Sequence, residues 1–207
     1  MKIAVIAANG RSGQVFVQKA LDAGHQVRGG ILGKSFLPNH PSLTTVNCDA
    51  TNPDQVKELI DGCNVVVCLI GHVKGSPAHV QTQAISTVID CMKSVGVTRI
   101  ISLTGTGVRF PGDKITLLDR FLNFGISIVD PNRVKDGIAH VKLLEHSDTD
   151  WTVIRVLKLQ NVAEKQFALR ENGPTKPYVG REEVASAILQ VLEQNSFVQK
   201  APIISPK

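Results

Sequence analysis

The sequence holds one Tyr and one Trp in 207 residues, and aromatic side chains make up only 4% of it. Readers of single-stranded nucleic acid stack bases on aromatics within a basic groove, and no such pairing or known module is present. The 23 Lys and Arg are interleaved with 18 Asp and Glu, so the net charge of +5 forms no stripe along which a polyanion would bind. No nucleic-acid partner is expected. No apolar run approaches eighteen residues, so no membrane span is predicted either. Met1 to Ala8 imitates the charged and apolar parts of a secretory leader, but Asn9-Gly10-Arg11 interrupts it too early. It reads as a buried strand, and the expected location is cytoplasmic. Only four cysteines occur, Cys48, Cys63, Cys68 and Cys91, at spacings of neither a zinc knuckle nor a redox pair; buried reduced thiols are expected. His25, His40, His79 and His146 show no metal-ligand spacing.

What is present is ordinary globular composition, 43% hydrophobic and 20% charged, in a length that suits one extended domain over residues 1–207. Short apolar runs alternate with helical patterns. Ile3 to Ala7, Gln26 to Leu32, Leu43 to Asn47, Val65 to Ile70, Arg99 to Leu103 and Trp151 to Val156 read as strands. Ser12 to Ala23, a segment beginning at Asn52-Pro53, Pro77 to Val95, Arg133 to His146 and Arg181 to Gln194 read as helices, with Pro53 at a first helical position. A terminal apolar run spans Ala201 to Ile204. Continuous apolar strands separated by helices predict a parallel sheet covered on both faces, the doubly wound α/β architecture. Two stretches, 105–125 and 157–180, break the alternation and are read as irregular. Both follow strand carboxyl ends, where ligands bind in such sheets, so they are expected to build a substrate site and its lid.

Ala7-Ala8-Asn9-Gly10-Arg11-Ser12-Gly13 joins the first strand to the first helix. A glycine-bearing turn there lets backbone N–H groups approach a pyrophosphate at a helix N-terminus. Ala8, Asn9, Gly10, Arg11, Ser12 and Gly13 are therefore the candidate phosphate cradle, against the alternative of an ordinary strand-to-helix turn. With these residues the chain resembles the atypical, NAD(P)H-binding members of the short-chain dehydrogenase/reductase superfamily, whose turn reads G-A-T-G-x-x-G. Ala7 stands for the first Gly and Asn9 for the Thr. The resemblance extends to Asp49, Leu69-Ile70-Gly71, Thr152-Val153-Ile154-Arg155 and Glu183-Val184-Ala185, with Val156 and Glu183 as departures from Arg-Pro and Asp-Val-Ala. Within the superfamily the chain is most similar to the biliverdin reductase B and NADH-flavin reductase-like group, with NmrA-type redox regulators as relatives. The resemblance implies a Rossmann fold and cofactor contacts at Asp49, Leu69, Ile70 and Gly71.

No acid occurs between Gln26 and Lys34 to hold the adenosine ribose hydroxyls, whereas Arg28 and Lys34 flank that strand end. NADP(H) is therefore preferred, with NAD possible, and the alternative is that both cations are solvated. Short-chain dehydrogenases use Tyr-x-x-x-Lys on one helical face, the Tyr protonating substrate and the Lys holding the nicotinamide ribose. Tyr178 is far from that position. Counting back from Trp151 places Ile138 at the Tyr and Lys142 at the Lys, so Lys142 is a candidate ribose contact or else an exposed helix lysine. Thr104 and Ser102 share a strand face near the nicotinamide side, and Thr104 is preferred over Gly105 as the active-site hydroxyl. His140 is read as a surface residue, and His72 and Lys74 as crevice-edge residues able to touch an acidic acceptor.

Without the tyrosine, ketone reduction is disfavoured, since an alkoxide needs a proton donor. A flavin or quinone delocalises the incoming electron pair and can take a proton from water, so orientation carries the reaction. The expectation is an NAD(P)H-dependent oxidoreductase acting on a small conjugated acceptor, as a monomer or homodimer. The alternative is a non-enzymatic NADP(H)-binding redox sensor that presents an apolar patch within 109–125 to a protein partner. A sugar-nucleotide epimerase ranks last because that chemistry keeps the Tyr.

Overall fold

The computed structural model describes residues 1–73 and 75–207. In chain order the elements are β1 (Lys2–Ile6), α1 (Arg11–Asp22), β2 (Gln26–Ile31), β3 (Leu43–Asn47), α2 (Pro53–Ile60), β4 (Val65–Cys68), α3 (Val80–Val95) and β5 (Arg99–Gly105). They continue with α4 (Leu117–Val129), α5 (Pro131–Glu145), β6 (Asp150–Val156), β7 (Lys158–Gln160), β8 (Phe167–Arg170), β9 (Tyr178–Gly180), α6 (Arg181–Glu193) and β10 (Ile203–Pro206).

Local chemistry sets several boundaries. Asn52 caps α2 by accepting from the Asp54 and Gln55 amides, with Pro53 at its first position. Gly96 ends α3 in the left-handed conformation, at φ 74°. The amides at the start of α3 are capped from elsewhere in the chain. The Asp136 carboxylate, on α5, accepts from the Gln81 and Thr82 N–H groups at 2.8 and 3.0 Å.

The main sheet runs β3-β2-β1-β4-β5-β6-β10-β8, with β8 antiparallel to β10 at the edge and every other pairing parallel. This is the predicted doubly wound α/β fold. Strand residues alternate between its two faces: Ala4 and Ile6 pack with α2, α3 and α5, whereas Ile3 and Val5 pack with α1 and α6. The chain leaves β1 toward β2 and β3, then returns to lay β4 on the other side of β1. That reversal opens a crevice at the carboxyl ends of β1 and β4, where such sheets bind their ligands.

The two stretches read as irregular contain regular structure. Within 105–125 begins α4, capped by Thr116 through the Asp119 amide. The stretch 157–180 supplies β7 and β9, paired as a small parallel sheet, and β8. Apolar spacing at Leu117, Phe121, Phe124 and Ile128 was a helical signal that Gly125 obscured. No helix among the described residues is long and apolar enough to cross a membrane.

Candidate active site

The crevice has a volume of about 1000 Å³. One end is built from backbone. Gly10 caps α1 with extended dihedrals and no side-chain acceptor, and no acid occupies the helix's first turn, so its leading N–H groups and positive dipole end face the crevice. Gly13 packs α1 onto the end of β1: a Cβ there would meet the Ala7 and Ala8 carbonyl oxygens at 2.3 and 2.6 Å. Ala7 sits at φ 60°, the left-handed region, which explains why the resembled motif has Gly at this place. Asn9 ties the turn to the segment after β2. Its Nδ2 donates to the Lys34 carbonyl at 2.6 Å and its Oδ1 accepts from the Phe36 amide at 2.9 Å.

Beyond the turn, Asp49 lines the crevice after β3, its carboxylate held below the usual range by the Thr51 amide and hydroxyl. Leu69, Ile70 and Gly71 line it after β4, and Thr104 near the carboxyl end of β5. Arg11 and Ser12 are also on its wall. These expected cofactor residues thus share one crevice wall.

Six expected site residues are off the wall: Ala8 and Gly13 are buried within the turn, and four others fall elsewhere. Arg28 turns away to cap α2, its Nε and Nη2 donating to the Leu59 and Glu58 carbonyls at 3.0 and 2.7 Å. It lies three residues before the end of β2, too far down the strand to reach the crevice. The Lys34 side chain is exposed and does not line the wall. Ser102 is buried, two residues and roughly 6.6 Å below Thr104 along β5. Its hydroxyl is hydrogen-bonded to His140 Nε2 at 2.8 Å. Lys142 is exposed on α5 and faces solvent. The α5 residues on the crevice wall are Arg133, Val134 and Gly137. At 100° per residue, Lys142 is about 140° around the helix from Gly137. The i, i+4 pair that faces the crevice is thus Arg133 and Gly137, and neither a Tyr nor a Lys stands there.

His140 is likewise not on the surface. It is 1% exposed, and burial pulls its imidazole down to about 4, so it is a neutral core residue. All four cysteines are buried and free; Cys48 touches the crevice, but burial pushes its thiol up to about 12, which removes it as a nucleophile. Tyr178 is half exposed on β9 and off the wall. Lys74 lies outside the described residues. Among the described residues no cluster of His, Cys, Asp or Glu could hold a metal ion.

Several wall residues were not singled out from sequence. Arg181, the first residue of α6, is buried beside the phosphate turn, and burial followed by the nearby Arg11 charge lowers its guanidinium. Its Nη1 donates to Asn161 Oδ1 at 2.5 Å, and its Nε has no partner. Two cations held close together beside free helix amides suit a pyrophosphate.

At the other end of the crevice, α4 and α5 form the wall through Leu122, Asn123 and Ile126 together with Val134 and Gly137. Asp119 anchors α4. It is its one fully buried residue and accepts from Arg109, Thr175 and Asn123. Burial alone would raise its carboxyl, but the bonds from Arg109 and Thr175 hold it below the usual range.

A model of the NAD(P)H-binding family matches residues 7–195, from the glycine turn through α6. The chain belongs to that family. As an NAD(P)H-binding protein it is 26% identical over 216 residues to an uncharacterized chloroplast protein of Arabidopsis thaliana, covering 95% of this chain and 74% of that one. Its fold matches that of a Veillonella parvula short-chain dehydrogenase/reductase crystallised with NADP, at TM-score 0.83 and 17% identity, over 99% of this chain and 94% of that one. A candidate NADH-flavin reductase of Streptococcus pneumoniae has the same TM-score, 0.83, at 18% identity and full coverage of both chains.

Proposed function

We propose that this NAD(P)H-binding protein is a reductase that passes a hydride from NADPH to a planar conjugated acceptor, a flavin or a quinone. The observation that carries this reading is the crevice face of α5, where Arg133, Val134 and Gly137 stand and no tyrosine does. A ketone reductase needs a strong, positioned acid at that place; an acceptor that spreads the new charge over a ring system does not. The bound nicotinamide supplies the hydride. The turn from Ala8 to Gly13, with Arg11 and Arg181, would hold its pyrophosphate, and Asp49 with Leu69 to Gly71 would line the rest of the dinucleotide.

NADPH is preferred over NADH because the wall after β2 carries Leu32 and Phe36 and no acid, while Arg11 is also on the wall. Roofing by α4 and the small Gly107 and Gly137 leave room for a flat acceptor against Thr104, whose Oγ1 would lie 2.9 Å from a Cβ at position 137.

Following NADPH oxidation by nicotinamide absorbance, before and after adding FMN or a simple quinone, tests this reading. Acceptor-dependent turnover is expected. NADPH binding with neither acceptor reduced sinks it. Gly13→Asp is a poor control, since any Cβ there forces α1 off β1. Ser12→Glu is better, because a carboxylate is tolerated in a helix's first turn yet repels the pyrophosphate.

A second reading, a dinucleotide-dependent sensor, is favoured by one feature. The outer face of α4 exposes Leu117, Phe121, Phe124 and Ile128, each at least 64% accessible. An apolar stripe of this kind on a wall of the crevice suits a partner whose docking follows cofactor state. NADPH binding without acceptor turnover, and a change in α4 amide protection on binding, would support it.

A further inference from the structure

His72 follows β4 on the crevice wall, and its side chain is only 6% exposed. Its Nε2 lies 2.8 Å from Oδ2 of Asp136. Asp136 is fully buried on α5 and already accepts from the Gln81 and Thr82 amides and from the Thr82 hydroxyl, the last at 2.5 Å. Burial alone would raise this carboxyl, but those donors and His72 keep it below the usual range, so it is a fixed negative charge. A buried carboxylate that holds one imidazole nitrogen fixes the ring's orientation and tautomer.

The position of the pair matters as much as its chemistry. Asp136 and Gly137 are neighbours on α5: the first holds His72, and the second packs against the Thr104 hydroxyl. His72 and Thr104 therefore both border α5 on the crevice wall. A mere tether between the β4 loop and α5 would need only a neutral donor. Asp136 already has three donors from α3 and would be satisfied as a cap without His72.

From this geometry we infer that His72, oriented by Asp136, is a proton donor to the reduced acceptor, faster than water though the acceptor's chemistry does not require it. The inference rests on the reductase reading above. One hydride, carrying two electrons, passes from the nicotinamide ring to the acceptor; one proton passes from the His72 imidazolium to the acceptor atom that gained negative charge. Solvent then reprotonates His72. The sum is NADPH, a proton and the oxidised acceptor giving NADP⁺ and the acceptor with two added hydrogens.

Among the described residues, the charged groups facing His72 come from α5. Asp136 is bonded to its ring, and Arg133 donates to its backbone carbonyl at 3.3 Å while pairing with Asp130. α3 contributes only its amides, the Thr82 hydroxyl and Gln81, through Asp136 and the loop.

His72→Asn keeps a neutral donor for Asp136 and removes the transferable proton. With FMN and a simple quinone as probes, kcat is expected to fall about 100-fold while the NADPH Kd is unchanged. The wild-type fall of kcat at high pH is expected to disappear with it. A readout independent of turnover is the side-chain ¹⁵N spectrum with NADP⁺ bound, where the signal missing in His72→Asn should move when oxidised FMN is added to the wild type. His72→Asn with wild-type kcat and pH profile overturns the assignment, as does FMN binding that leaves the His72 signal in place. A wild-type protein that binds NADPH but reduces neither probe overturns the reductase reading, and the donor role falls with it.

Discussion

The two ends of the crevice are built by different means. At the phosphate turn the structure is backbone: Gly13 lies against the Ala7 and Ala8 carbonyls, and the free amides of α1 need no side chain to present them. At the α4/α5 end it is side chain. Asp119 pins α4 through Arg109, Thr175 and Asn123, and Asp136 joins α5 to α3 and His72. A backbone site is rigid and indifferent to most substitutions outside its glycines. A site held by buried carboxylates depends on each partner, since removing one leaves the others unpaired.

Asp119→Ala should therefore show the largest effect. It removes the buried anchor of α4 and leaves Arg109 and Thr175 unpaired, a loss of about 3 kcal/mol. Hydrogen exchange would show α4 amides losing protection while those of β1 and α1 keep theirs; equal loss at both ends would break the comparison. At the opposite end, Ser12→Glu should raise the NADPH Kd about 100-fold, or about 3 kcal/mol, with the melting temperature within a degree or two of wild type. Titration of nicotinamide fluorescence measures this, and unchanged affinity would place the pyrophosphate elsewhere.

The His140 pair yields a pH-dependent test. Burial lowers its imidazole from 6.5 to about 4, so the folded state resists a proton that the unfolded chain accepts. Its contribution to stability is fully present above pH 6.5 and is lost as the pH falls toward 4, up to about 3 kcal/mol at about 1.4 kcal/mol per unit. Denaturant midpoints between those values should fall, and His140→Gln should flatten that slope. The smallest expected effect is Ala7→Gly, which relieves a left-handed alanine and should leave stability within about 1 kcal/mol of wild type, with NADPH binding retained.

Legibility followed the same division. The glycine turn was readable because it is local: apolar run, glycines and amphipathic helix are adjacent in the chain, and the turn joins β1 to α1 as expected. Lys142 was not, because its assignment depended on the rotational phase of α5, and an error of one or two residues in a count from Trp151 swings a side chain through 100° or 200°. Ser102 failed for a related reason, since sharing a strand face with Thr104 says nothing about depth below the strand's end. Arg28 could be seen to flank β2, but only the packing of α2 offered it carbonyls to cap. His140, read as surface, was drawn into the core by Ser102, a partner 38 residues away.

By itself the sequence determined the alternation of strands and helices, the glycine turn, the absence of a tyrosine at any position able to serve the helix motif, and hence membership of a dinucleotide-binding class. These depend on period, spacing and composition, which are properties of neighbours along the chain. Tertiary structure alone decided which α5 residues face the crevice, that Arg181 meets Arg11, that Asp119 anchors α4, and that Asp136 stands behind His72. Those pairs are separated by 10 to 170 residues in sequence, and contacts across such distances are set by how helices pack and rotate on the sheet, for which no local pattern carries the phase.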